Sequence, residues 1–141
     1  MEMGSPPQSS AKLARAPEVV AAQVLVVEDD ADIRETVAEL LLEEGYGVQT
    51  ANSGLEALEY LAVAAALPDV VLLDLMMPVM DGWTFYDHLQ QEARWSSLPI
   101  VVISADANVH EKAARLRPVA CLRKPVGIDE LLDVVARFRR V

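Results

Sequence analysis

At 141 residues and 52 % hydrophobic content, the chain is long enough for one sizeable core and too short for two domains. Its 22 acidic against 12 basic residues give a formal charge of −10, which argues against nucleic acid or an anionic membrane as a direct partner and suits a basic protein surface. The single cysteine, Cys121, excludes an internal disulfide, and the chain shows neither the apolar core of a signal peptide nor a bilayer-spanning run, so a reducing, cytoplasmic setting is expected.

Met1 to Ser10, with Gly4, Pro6, Pro7 and three serines, reads as a flexible lead. Lys12 to Glu18 is either a short helix or more of that lead, and Pro17 stops it, so residues 1–20 are expected to be an extension ahead of one domain at 21–141. Gln23 to Val27 is a buried strand that runs into the acids Glu28, Asp29 and Asp30. Ile33, Val37, Leu40 and Leu41 recur at helical spacing within Ala31 to Glu44, and Gly45 ends that helix. Val48 to Ala51 is a second strand. Asn52 or Ser53 caps the next helix, with Leu55, Leu58 and Leu61 as its apolar face and an alanine tail to Ala66 that extends it toward Pro68.

Val70 to Leu75 is an unbroken apolar strand except for Asp74, close to its end. Pro78, Asp81 and Gly82 form the following loop, and a helix from Trp83 to about Ala93 buries Trp83, Tyr86 and Leu89, with Phe85 near its edge. Ile100 to Ile103 is a β-branched fourth strand, closed by Ser104-Ala105-Asp106. A short helix over Val109 to Leu116, a weaker strand over Val119 to Leu122, and a last helix over Ile128 to Phe138 complete the chain, with Leu131, Leu132, Val135 and Phe138 facing inward. Five strands alternating with five helices predict an α/β three-layer sandwich with a parallel sheet and right-handed crossovers.

Four of these strands end in a polar group: Glu28 and Asp29, Asp74, Ser104 and Lys124. In a parallel sheet those ends share one edge, where open α/β folds collect their ligands. Crowded carboxylates repel unless a cation intervenes, and hard oxygen donors with open positions suit Mg²⁺. A lysine and a hydroxyl opposite them would stabilise a phosphoryl group in transit to a carboxylate, and Asp74, alone at its strand end, is the candidate nucleophile.

Val-Val-Glu-Asp-Asp after the first strand, Asp-Leu-Met-Met-Pro-Val-Met-Asp-Gly after the third, Ser-Ala after the fourth and Lys-Pro after the fifth resemble the receiver domain of bacterial two-component response regulators, over about Gln23 to Arg139. The resemblance implies a flavodoxin-like fold with strand order 2-1-3-4-5. It implies that Asp74 accepts a phosphoryl group from a phosphohistidine of a sensor kinase or a phosphotransfer protein. Glu28, Asp29, Asp74 and the Met76 carbonyl would hold Mg²⁺, with Mn²⁺ as a substitute; Lys124 would contact the phosphoryl group and Ser104 would be the switch hydroxyl. Because the chain ends soon after its last helix, the expected form is a stand-alone, chemotaxis-regulator-like protein, a monomer or weak dimer, with a part excised from a longer regulator or hybrid kinase as the open alternative. Its output would come by docking to a protein target rather than by turnover as an enzyme.

Four positions depart from the family pattern. Cys121 stands where tyrosine or phenylalanine is frequent, Arg117-Pro118 replaces a Gly-Ala pair, and Val126 replaces a phenylalanine. Phosphorylation is expected to survive and the output route to be unusual. The alternative reading is a receiver-like interaction module that works without phosphorylation. Met76 and Asp106 would border the path of attacking water. His88 and His110 are expected at the surface, Cys121 in the core, and Met76, Met77 and Met80 as loop packing or a soft contact surface.

Overall fold

The computed structural model describes residues 22–139. The expected extension at 1–20 and the short helix considered at Lys12 to Glu18 lie outside the described residues. Within them, β1 (Gln23–Val27), β2 (Gly47–Ala51), β3 (Val70–Asp74), β4 (Ile100–Ser104) and β5 (Ala120–Arg123) form one parallel sheet in the order β2-β1-β3-β4-β5. Every residue of β3 and β4 is buried, as expected for unbroken apolar runs covered on both faces, whereas β2 and β5, at the edges, are only partly covered.

Alternation along the strands sorts the interior into two halves. Val24, Val26, Val70, Leu72, Val101 and Ile103 face one way, toward α1 (Ala31–Glu43) and α5 (Ile128–Val135). Leu25, Val27, Val71, Leu73, Ile100 and Val102 face the other, toward α2 (Gly54–Val63), α3 (Gly82–Gln90) and α4 (Val109–Lys112). Three helices start on side-chain caps: Asp30 accepts from the Ile33 N–H, Ser53 from Glu56 and Asp81 from Thr84. Gly45, at φ +91°, makes the left-handed turn out of α1.

Several helix faces differ from the sequence expectation. In α2 the buried positions are Gly54, which lies under Met80, Ala57 and Leu61, while Leu55 is exposed. The helix stops at Val63 and does not take in the alanine tail. In α3 the buried stripe is Gly82, Phe85 and Leu89, with Phe85 fully enclosed at its centre and Trp83 and Tyr86 at the rim. The fourth helix is broken: α4 has only four residues, and a 3₁₀ turn at Ala114–Leu116 follows, ending at Arg117 in the left-handed region (φ 47°). At the C-terminus Val134 joins Leu131 and Val135 inside, and the final turn, Ala136–Phe138, is 3₁₀ with Phe138 only partly buried.

Candidate functional site

Strand register assembles the site. Val27 pairs with Leu73, so Glu28 and Asp74 are the next residues outward on adjacent strands, and Ser104 and Lys124 follow from the pairing of Asp74 with Ile103 and of Ser104 with Arg123. Glu28, Asp74 and Ser104 are the buried polar residues among those described, each at 3 % exposure or less. Carboxylate oxygens of Glu28, Asp29 and Asp74 all lie within 4.8 Å of one another. The Lys124 ammonium sits 3.0 Å from Glu28 Oε1 and 3.3 Å from Asp74 Oδ2.

The backbone holds these groups from several directions. Asp74 Oδ1 accepts the Met76 N–H at 3.1 Å, and Glu28 Oε2 accepts the Asp30 N–H at 3.2 Å. Glu28 N–H donates to the Ala51 carbonyl, which anchors the end of β1 to β2. Ser104 Oγ accepts the Asp106 N–H at 3.1 Å, and the Ser104 carbonyl accepts the Lys124 N–H at 2.8 Å, which ties the ends of β4 and β5 together. Asp106 in turn receives the Asn108 N–H and pairs with Lys112. Gly82 packs so closely that a Cβ there would lie 2.9 Å from Leu75 Cα and 3.2 Å from the Asp74 carbonyl oxygen.

Burial, and then the negative charge of Glu28, push the Asp74 carboxyl up to about 7 against the pull of the Met76 N–H and Lys124. Burial works against the charge on Lys124 too, yet its hydrogen bond to Glu28 and the charges of Asp74 and Glu28 lift it above the ordinary lysine value. Three acids against one ammonium leave the cluster short of positive charge. Hard oxygen donors in that state fit a dication such as Mg²⁺.

All of the site residues expected from sequence therefore lie at one sheet edge. Glu28, Asp29, Asp74 and Lys124 converge directly, and Ser104 ends the neighbouring strand. Met76 meets Asp74 through its N–H, and the residue is 64 % exposed. Met77 is buried and Met80 lies against Gly54, so the loop methionines divide between packing and surface. His88 and His110 are exposed, and Cys121 is only partly buried, on the edge strand. Arg34 is a residue the sequence reading missed: its Nη1 donates to the carbonyls of Glu28 at 3.0 Å and Asp29 at 3.4 Å. The available signal was its being the single basic residue of a helix otherwise rich in acids.

Comparison with known proteins agrees with this geometry. The family model of the response regulator receiver domain matches residues 24–136. Response regulator MprA of Mycobacterium leprae is 40 % identical over 119 residues, which cover 83 % of this chain and 49 % of that protein, so the chain spans about half the length of such curated relatives. The solved structure of chemotaxis response regulator CheY4 of Vibrio cholerae is 31 % identical with a TM-score of 0.75, covering 84 % of this chain and 98 % of that one. NtrX from Brucella abortus is 33 % identical with a TM-score of 0.74, covering 84 % of this chain and 26 % of that one. The chain belongs to the response regulator receiver domain family, with the five-stranded, CheY-like fold of two-component signalling proteins.

Proposed function

We propose that the protein receives a phosphoryl group on Asp74 from a phosphohistidine of a sensor histidine kinase or a histidine phosphotransfer protein, and passes the signal on by docking to a protein target. The observation that carries this reading is the convergence of buried Asp74 on two further carboxylates and one ammonium at the sheet edge. An oxygen of the Asp74 carboxylate attacks phosphorus; the P–O bond forms as the P–N bond breaks, and the electron pair returns to the imidazole nitrogen. Lys124 is held on the carboxylate side by Glu28 and Asp74, where its charge meets the equatorial phosphoryl oxygens. Ser104 offers a hydroxyl whose present bond, from the Asp106 N–H, leaves its own proton free to donate.

Glu28, Asp29, Asp74 and the Met76 carbonyl would hold Mg²⁺ or Mn²⁺, which supplies neutralisation of the phosphoryl charge. Return to the resting state is attack of water on phosphorus, releasing phosphate and restoring the carboxylate, along a path flanked by Met76 and Asp106. The protein thus acts as a regulator that modifies itself rather than as a turnover enzyme. A groove of 480 Å³ beside Lys124, walled by Ile33, Val37, Leu40, Val126 and Leu131, gives the donor protein an apolar surface next to the cluster. The acidic overall charge supports protein partners over nucleic acid. No described helix is long and apolar enough to cross a membrane, which is compatible with work in the cytoplasm.

The test is intact-mass measurement after incubation with Mg²⁺ and acetyl phosphate. The expected result is one adduct of about 80 Da on the wild type and none on Asp74→Asn or without the metal. No adduct on the wild type under forcing conditions would sink the phosphoacceptor reading.

A further inference from the structure

The segment Glu28–Asp30 carries two of the three acids of the cluster and links β1 to α1 without belonging to either. A carboxylate can be aimed only as well as its own peptide unit is fixed. Two of the three amide N–H groups are held: Glu28 N–H binds the Ala51 carbonyl and Asp30 N–H binds Glu28 Oε2. The Asp30 carbonyl accepts the Arg34 N–H, the first turn of α1. The remaining carbonyls, of Glu28 and Asp29, both receive the same guanidinium nitrogen of Arg34, at 3.0 and 3.4 Å.

The choice of oxygens is informative. Among the described residues the Arg34 guanidinium makes no ion pair with a carboxylate, although Glu28 and Asp29 are its immediate neighbours. An arginine that took those carboxylates would compete with a dication for them. Bonded to the peptide oxygens, it leaves the acid groups available while holding the backbone that aims them.

We propose that Arg34 is a positioning residue for the cation site, fixing the Glu28–Asp29 peptide units so that both side chains reach the cation together with Asp74. The proposal rests on the metal-binding part of the function proposed above. It has a sign opposite to the charge effect: a cation removed from near an acidic cluster would by charge alone tighten dication binding, whereas loss of positioning weakens it.

The experiment titrates Mg²⁺ into the metal-free protein and follows the backbone amide NMR signals of residues 28–30 and 74–76, with wild type, Arg34→Met and Arg34→Lys. Arg34→Met is expected to raise the dissociation constant about tenfold. Arg34→Lys, whose shorter stem and different fork keep one carbonyl at most, is expected to raise it about threefold. With acetyl phosphate, the Mg²⁺ concentration for half-maximal phosphorylation should shift by the same factors while the rate at saturating Mg²⁺ stays at the wild-type value, a split that general damage to the fold would not give. Thermal melting in EDTA checks the fold, and if Arg34→Met melts below the assay temperature, Arg34→Lys decides alone. An unchanged or tighter dissociation constant overturns the proposal, as does a fall in the saturating rate without a change in affinity. Wild-type protein that binds Mg²⁺ but takes no phosphoryl group would overturn the phosphoacceptor reading and leave the role of Arg34 intact. Wild type that binds no Mg²⁺ overturns both.

Discussion

The two flanks of the site are built to different standards. On the β1–β3 side, central strands end in buried Glu28 and Asp74, and the peptide groups of residues 28–30 are held by β2, by Arg34 and by the start of a thirteen-residue helix. On the β4–β5 side, the helix has four residues before it gives way to a 3₁₀ turn, Arg117 takes a left-handed conformation that glycine would adopt without strain, and β5 is a half-covered edge. The loop after Ser104 is closed by an exposed pair between Asp106 and Lys112. The acids thus come from the side whose loop backbone is held by a long helix and by Arg34, while Ser104 and Lys124 come from the side with the short, broken helix, the side more available to rearrange.

The largest expected effect comes from disturbing the packed half. In Gly82→Ala the new methyl would press on the Leu75 and Asp74 backbone, which has no room to yield, and a loss of about 2–3 kcal/mol in chemical denaturation is expected. Next is Asp74→Asn in metal-free protein. An acid whose pKa is higher folded than unfolded holds its proton more tightly in the folded state, so its stabilising contribution is present below the ordinary carboxylate range and is lost as pH climbs through about 7. Asp74→Asn should therefore exceed the wild type by about 2 kcal/mol at pH 8 in EDTA, with the gap closing toward pH 5. Thermal melts across that range check the sign, and a gap that widens toward low pH would contradict it.

Lys124→Ala removes the link between the two flanks. Phosphorylation by acetyl phosphate is expected to slow by about tenfold, while Mg²⁺ still binds; loss of Mg²⁺ binding without loss of rate at saturating metal would contradict the division of roles. The smallest effect is expected at Gly54→Ala, where the added methyl meets the flexible end of Met80 at 2.7 Å and the helix gains propensity. Its stability should stay within about 1 kcal/mol of the wild type.

The same two flanks differ in how far they could be read from sequence. β1, β3 and β4 are continuous apolar runs, so their ends, and with them Glu28, Asp74 and Ser104, follow from residue type alone. The rotation of a helix about its axis does not. Leu55 was as good an apolar candidate as Leu61, and Trp83 as Phe85, and tertiary packing decided between them, as at Gly82, where a Cβ would lie 2.9 Å from Leu75 Cα. The break after α4 hinges on the backbone at Arg117, which residue type disfavours. Arg34 was hidden because its partners are peptide oxygens, which carry no trace in the sequence.

The most direct test of the whole account is to locate the phosphoryl group. Borohydride reduction of the acetyl phosphate-treated protein converts an acyl phosphate to an alcohol at the residue that carried it, and peptide mapping reads the position. Homoserine is expected at position 74 alone, dependent on Mg²⁺. Reduction at Glu28, Asp29 or Asp81, with Asp74 unchanged, would contradict it.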